Sequence, residues 1–92
     1  RLYPVFPDEH ERKFEMLHIE LDPGSRSVSE AHEPGTEEFI LVYEGCFVLE
    51  TDGKRHYVET GNAIHFQADR PHVYENGCDG NTRICMLIYY QK

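Results

Sequence analysis

The chain has 92 residues and a formal net charge of −8, with 39% hydrophobic and 28% charged residues. This length allows one hydrophobic core and is too short for two, so we expect a single domain. No stretch approaches the roughly 20 apolar residues of a membrane span, and no secretory signal is evident. The 17 acids outnumber 9 scattered Lys and Arg residues, which argues against direct binding of nucleic acid by this chain.

Three cysteines, Cys46, Cys78 and Cys85, occur without C-x-x-C spacing. An odd count in this arrangement argues against a disulfide framework or a zinc ribbon. We therefore expect each cysteine to be a small buried hydrophobic residue, with a redox role for Cys78 in its Gly-rich turn as the alternative. A reducing, cytoplasmic location fits this pattern best.

The hydrophobic pattern predicts strands almost throughout and very little helix. Residues 1–12, with Pro4 and Pro7, read as an extended entry segment ahead of a domain over 13–92. The Asp52-Gly53 pair is the strongest hairpin signal in the chain. Many short strands at close spacing indicate an all-β antiparallel sandwich or barrel. The predicted strands are 14–21, 38–45, 46–51, 54–60, 63–67, 72–76 and 82–90.

An acid stands at the start of the apolar strand EFILVYEG. Side chains two residues apart point to the same face of a strand, so Glu38 shares a face with Ile40 and Val42. Apolar residues occupy both faces, which predicts that the strand is buried on both sides and that Glu38 points into an interior. A buried carboxylate without a partner costs several kcal/mol. Its partner could be a metal ion or an arginine, or the group could be neutral with a raised pKa.

Histidines near this strand offer one way to satisfy Glu38. Glu30 and His32 share a face if their segment is extended, and His72 shares a face with Tyr74. Two histidines with one or two carboxylates can hold zinc, iron, nickel or manganese, leaving positions open for water or a ligand. Strand geometry alone does not establish that these side chains converge.

Two spaced motifs provide a further indication. The first contains Gly24, five residues, Glu30-Ala31-His32, then Glu38, six residues and Gly45. The second begins at Gly61 and ends with Pro71-His72 and, three residues later, Asn76. Together, and separated by the hairpin, they resemble the two motifs of the cupin family over roughly residues 14–90. The similarity is greatest to the small cupin domain that follows a helix-turn-helix domain in bacterial transcriptional regulators.

The resemblance implies an antiparallel double-stranded β-helix, or jelly-roll barrel, with a site in its mouth. By position, His32, Glu38 and His72 correspond to the family's metal ligands, and Glu30 stands where the family has its first histidine. The segment between His32 and Glu38 is one residue longer than the family pattern. The ligand contacts we expect beside a divalent transition metal are Tyr74, Phe66 and Met86.

The resulting hypothesis is an effector-sensing and dimerisation domain of a regulator. It would bind a small-molecule effector, form a homodimer in the cytoplasm without contacting a membrane, and act on DNA only through a separate helix-turn-helix domain. Because the chain begins at Arg1 and not Met, we expect it to be the C-terminal part of a longer protein. One alternative is a stand-alone metal-dependent cupin enzyme of the dioxygenase or isomerase type. Another is a structural dimerisation domain that binds no ligand.

Overall fold

Nine β-strands and no helix form in residues 1–6 and 12–91, the part of the chain that the computed structural model describes. Within this part, no helix has the length and apolar character needed to cross a membrane. The strands are β1 (Leu2–Pro4), β2 (Phe14–Leu21), β3 (Arg26–Ser29), β4 (Glu37–Glu44), β5 (Cys46–Thr51), β6 (Lys54–Glu59), β7 (Ala63–Gln67), β8 (His72–Glu75) and β9 (Thr82–Tyr89).

The strands form two sheets that face each other across one core. The five-stranded sheet has the order β1-β2-β9-β4-β7, and the four-stranded sheet has the order β3-β8-β5-β6. Every pairing is antiparallel. The predicted all-β antiparallel architecture is therefore confirmed, and the hairpin at Asp52-Gly53 joins β5 to β6 as expected.

Strand β4 alternates strictly between the core and the outside. Its inner side chains Glu38, Ile40 and Val42 are buried, whereas Phe39 and Leu41 on the outer face are more than 40% exposed. The prediction that this strand is buried on both faces is wrong. In the described residues, neither sheet packs on the outer side of β4, so its outer apolar side chains remain exposed.

Two strands lie outside the predicted set. Strand β3 pairs with β8, and its one apolar residue, Val28, points outward and is 68% exposed, so it gives no alternation signal. Strand β1 lies in the predicted entry segment and pairs with β2 at the edge of the sheet. The rest of that segment includes residues 7–11, which lie outside the described residues.

A disulfide joins Cys46 at the start of β5 to Cys78 in the loop after β8. The expectation that the cysteines are unpaired is wrong for these two, and Cys85 alone is free. The buried Asn76 holds the same loop, because its amide nitrogen lies within hydrogen-bond distance of three backbone carbonyls. Its amide oxygen accepts from the backbone nitrogen of Cys78 at 2.9 Å. These contacts fix the C-terminal end of β8, whereas His72 stands at the N-terminal end of the same strand.

Candidate metal centre

Three elements bring His32, Glu38 and His72 together at one end of the core. Glu38 is an inward-facing residue at the start of β4, and His72 begins β8 in the opposite sheet. His32 lies in the connection between β3 and β4, where its backbone nitrogen donates to the carbonyl of Ala68 at 2.9 Å. One potential ligand atom from each of the three side chains lies within 4.8 Å of the other two.

The Glu38 carboxylate is the centre of this cluster. Its Oε2 atom lies 3.0 Å from Nε2 of His32 and 3.6 Å from Nε2 of His72. The side chains of Glu38 and His72 are fully buried, whereas that of His32 is about one third exposed. The cluster is therefore reached from solvent on the His32 side.

A hydrogen-bonded chain holds the two buried members in place. The Tyr74 hydroxyl donates to Oε1 of Glu38 at 2.5 Å and lies 2.8 Å from Nε2 of His72. On the other side of the imidazole ring, Nδ1 of His72 donates to the carbonyl of Arg70 at 2.8 Å. This second bond orients the ring so that Nε2 points toward Glu38.

The electrostatic environment favours a charged His72 and a neutral Tyr74. Burial by itself lowers the pKa of His72, but the Glu38 carboxylate and the Arg70 carbonyl outweigh it, so the pKa is raised. The pKa of Tyr74 is raised first by burial and then by the negative charge of Glu38. The nearby Glu38 carboxylate thus favours the protonated form of the His72 imidazole in the metal-free site.

The donor set fits a divalent metal ion. Oε2 of Glu38 is buried and has no hydrogen-bond partner among the described residues, although two imidazole nitrogens lie nearby. A carboxylate oxygen facing two imidazole nitrogens is a donor set that zinc, iron, nickel and manganese accept. The Arg70 carbonyl bonded to His72 is the outer contact that metal-binding histidines commonly make.

The other predicted site residues lie in different surroundings. Tyr74 belongs to the hydrogen-bonded chain, and the Phe66 ring meets the His72 ring edge-on with 5.1 Å between centroids. Met86 is buried in the core, opposite Ile40 of β4. Glu30 is exposed and does not belong to the three-residue cluster. The structure therefore brings three of the four predicted ligands together.

Sequence reasoning did not include the backbone groups that position the site. The carbonyls of Arg70 and Ala68 accept from His72 and His32, respectively. Every residue type supplies a backbone carbonyl, so no side-chain pattern marks these positions.

Two known proteins are similar in sequence to this chain. The chain is 32% identical over 88 residues to the HTH-type transcriptional regulator SutR of Escherichia coli (strain K12), covering 96% of this chain and 49% of that protein. It is 34% identical over 62 residues to Protein SchB of Streptomyces halstedii, covering 67% of this chain and 44% of that protein. The chain thus spans about half the length of the curated relatives it matches.

Two solved structures from transcriptional regulators are also similar to this chain. The Cupin_2 domain of an XRE family transcriptional regulator from Enterobacter cloacae superposes with a TM-score of 0.94 at 30% identity, covering 100% of this chain and 97% of that one. An HTH_3 family transcriptional regulator from Vibrio cholerae gives 0.91 at 25% identity, covering 99% of this chain and 51% of that one. The cupin domain pattern matches residues 17–89. The chain belongs to the cupin domain family.

Proposed function

We propose that this chain is the effector-sensing domain of a transcriptional regulator and that it holds one divalent metal ion. The observation that carries the proposal is the buried cluster of His32, Glu38 and His72, whose central carboxylate oxygen has no hydrogen-bond partner among the described residues. These three side chains would bind the ion. When bound, the ion would supply a positive centre with open positions for an anionic or polar group of the effector.

The remaining side chains of the site would orient the ligands and shape the opening. Tyr74 would keep one oxygen of Glu38 occupied through its hydroxyl, leaving the other oxygen for the ion. Phe66 covers the edge of His72 and limits access of water from that direction. The effector would enter on the side of His32, the partly exposed member of the cluster.

The regulatory part of the proposal rests on the relatives. One relative named as an HTH-type regulator and one solved HTH_3 regulator are about twice as long as this chain. We infer that DNA contact is made in the cytoplasm by a separate domain, which agrees with the net charge of −8 in this one. An effector would shift such a regulator by binding one of its arrangements more tightly than the other.

We further propose that the domain acts as a homodimer through the outer apolar face, defined here as Phe39, Leu41 and Tyr43 of β4 with Leu87 of β9. The three β4 side chains are each more than 40% exposed, and a groove of about 320 Å³ runs beside Phe39, Leu41 and Leu87. Contiguous exposed apolar surface commonly marks an interface. A second copy is the occupant we favour, because regulators that read two half-sites act as dimers.

Metal analysis of the purified chain tests the site. We expect close to one equivalent of a transition metal in the unaltered protein and almost none in His32→Ala or His72→Ala. His65→Ala is the matched control, because His65 also pairs with a glutamate of β4, namely Glu37 at 2.6 Å, but on the outer face. Equal metal content in all four proteins would contradict the assignment of His32 and His72 as metal ligands.

A further inference from the structure

The three cysteines belong to two separate parts of the fold. Cys46 and Cys78 are joined at the edge of the four-stranded sheet, with 5.8 Å between their Cα atoms, and both residues are partly exposed. Cys85 is free and lies on β9 of the other sheet, where it pairs with Leu41 of β4. The crosslinked pair and the free thiol can therefore be followed independently in one protein.

A groove gives solvent access to the crosslinked pair. It has a volume of about 390 Å³ and is lined by Cys46 and by Gly77, the residue before Cys78. Val48, which is buried, and its cross-strand partner Tyr57, which is 72% exposed, also line it. Attack on a disulfide depends on access of a thiolate to one of its sulfur atoms. A small thiol can approach this disulfide along the groove without unfolding the domain.

A second, non-covalent bridge runs beside the disulfide. The hydroxyl oxygen of Thr82 lies 2.6 Å from the carbonyl of Cys46 and accepts from the backbone nitrogen of Cys46 at 3.1 Å. The same hydroxyl lies 2.9 Å from Oδ1 of Asn76, which also accepts from the backbone nitrogen of Cys78. Thr82 and Asn76 are both buried. The backbones of the two cysteines are thus connected through buried side chains as well as through sulfur.

This bridge does not depend on the disulfide. The amide nitrogen of Asn76 contacts three backbone carbonyls, and none of these contacts involves a sulfur atom. A Cβ atom at Gly45 would lie 2.5 Å from Oγ1 of Thr82, so the chain also closes tightly around this hydroxyl. The Cα separation of the cysteines lies in the range that disulfides favour. We therefore expect the two thiols of the reduced chain to stay close enough to pair again.

We propose that Cys46 and Cys78 form a reversible redox site, which a dithiol reductant opens and a hydroperoxide closes. To open it, a thiolate of the reductant attacks one sulfur of the pair and releases the other as a thiolate. The second thiol of the reductant then attacks the mixed disulfide. Two electrons and two protons pass to the protein, and the reductant leaves as a disulfide.

Closing the site requires the two sulfur atoms to meet. With hydrogen peroxide, one thiolate of the reduced pair attacks an oxygen, so that the O–O bond breaks and a sulfenic acid forms. The second thiol attacks the sulfenic sulfur, and water leaves as the disulfide forms. In total, two thiols and one hydrogen peroxide give one disulfide and two waters. The bridge through Thr82 and Asn76 positions the thiols for the second step.

The biological role of the site depends on its compartment. Disulfides of cytoplasmic proteins are usually transient, catalytic or redox-sensing, because reductants keep most thiols there reduced. In such a compartment the site would report oxidation to the rest of the regulator. This sensing role rests on the cytoplasmic regulator proposed above, whereas the chemistry of the pair does not.

The first test is the rate at which dithiothreitol reduces the folded chain, measured by alkylation of the released thiols and mass spectrometry. We expect this rate to change less than about twofold per molar of urea below the unfolding transition, because the reductant attacks the folded protein. Reduction through global unfolding would instead accelerate at least about fivefold per molar, since urea lowers the free energy of unfolding. An acceleration of that size would overturn the proposal.

The second test is a complete redox cycle. One equivalent of hydrogen peroxide added to the reduced chain should restore the Cys46–Cys78 disulfide and leave Cys85 as a free thiol, and dithiothreitol should open the disulfide again. Cys46→Ser should stop at a sulfenic acid on Cys78, which dimedone traps. His32→Ala should cycle normally, so a failure of the metal assignment leaves this test intact. Pairing with Cys85, or a reduced chain that does not close, would contradict the proposal.

The third test measures the positioning role of Thr82. The readout is the ratio of reduced to oxidised dithiothreitol at which half of the chain is reduced. Thr82→Val keeps the shape of the side chain and removes its hydroxyl, so the thiols are held less closely and this ratio should fall about tenfold. Thr82→Ser keeps the hydroxyl and should retain the original ratio. Equal ratios in the valine variant and the unaltered chain would exclude the positioning role.

Discussion

Glu37 and Glu38 are adjacent in β4, yet their carboxylates lie on opposite faces of the sheet. Glu37 contacts His65 on the outside, at 2.6 Å, where both side chains are partly exposed. Glu38 contacts His32 at 3.0 Å and is fully buried. The two pairs share their chemistry and differ in burial, so they form an internal comparison of a surface ion pair with a candidate metal centre.

Replacement of each glutamate by glutamine should separate these roles. Glu38→Gln removes the charge opposite His72 and weakens the acceptor of the Tyr74 hydroxyl, so we expect a loss of about 2 kcal/mol in the free energy of unfolding. Glu37→Gln should change it by less than about 1 kcal/mol, because exposed ion pairs contribute little. Urea unfolding of the metal-free proteins measures both values. Equal losses of unfolding free energy in the two variants would contradict the distinction between a buried Glu38 and a surface ion pair at Glu37.

The stability of the metal-free domain should depend on the protonation of His72. Its folded-state pKa is raised above the ordinary value near 6.5. The stabilising contribution is therefore complete below about pH 6.5 and is lost as the pH rises through the folded pKa. Unfolding in urea with a chelator present, from about pH 6 to pH 9, should show this decline, and His72→Gln should lack it.

Metal binding should show the opposite dependence on pH. A metal ion needs the lone pair on Nε2 of His72, so binding competes with the proton, whose affinity for this ring the Glu38 carboxylate and the Arg70 carbonyl raise. We expect apparent affinity for zinc to rise as the pH increases through the same range, measured by competition with a chromophoric chelator. An affinity that is independent of pH would contradict the assignment of His72 as a ligand.

Part of the fold and site could be predicted because strands have a period of two. The burial of Glu38 was predicted from apolar residues on both faces of the strand. The burial is confirmed, but only the face that Glu38 shares with Ile40 and Val42 is covered. The meeting of Glu38 with His72 could not be derived this way, because these residues belong to opposite sheets. This contact was predicted from the resemblance to the two cupin motifs. The motif positions of a family reflect its tertiary fold, whereas the alternation of residues within one strand does not.

The errors also have physical causes. The unbroken apolar run from Phe39 to Tyr43 in β4 predicts burial of both faces, yet Leu41 is 46% exposed. The same pattern also occurs where an apolar sheet face lies at the protein surface. The pairing of Cys46 with Cys78 depends on β5 and β8 being neighbours in one sheet, and a separation of 32 residues gives no local sign of it. The exposed position of Glu30 reflects the irregular segment after β3, where the period of two no longer applies.

The Cys46–Cys78 disulfide makes stability sensitive to the redox environment. Closing a loop of this length should stabilise the fold by about 3–4 kcal/mol relative to the reduced chain, and reduction should lower Tm by roughly 15 °C or more. Thermal unfolding with and without dithiothreitol measures the shift. Cys46→Ser should show the low Tm under both conditions, and Cys85→Ala should retain the full shift. A Tm unaffected by the reductant would show that the pair does not crosslink the folded protein.

Charge placed in the outer apolar face should separate the proposed dimer. Leu41 is 46% exposed at the centre of that face, and in a symmetric interface Leu41→Glu would introduce a buried acid from each copy. We expect the dimer Kd to rise about 100-fold or more, measured by sedimentation at several concentrations.

Val28→Glu is the matched control, because Val28 is an exposed apolar residue on the other sheet. The charge introduced there should leave the dimer Kd unchanged. If the unaltered chain is a monomer at high concentration, or if both variants dissociate equally, the outer apolar face is not the dimer interface. An unchanged Kd for Leu41→Glu alone would place the interface elsewhere, for example at the edge strand β1.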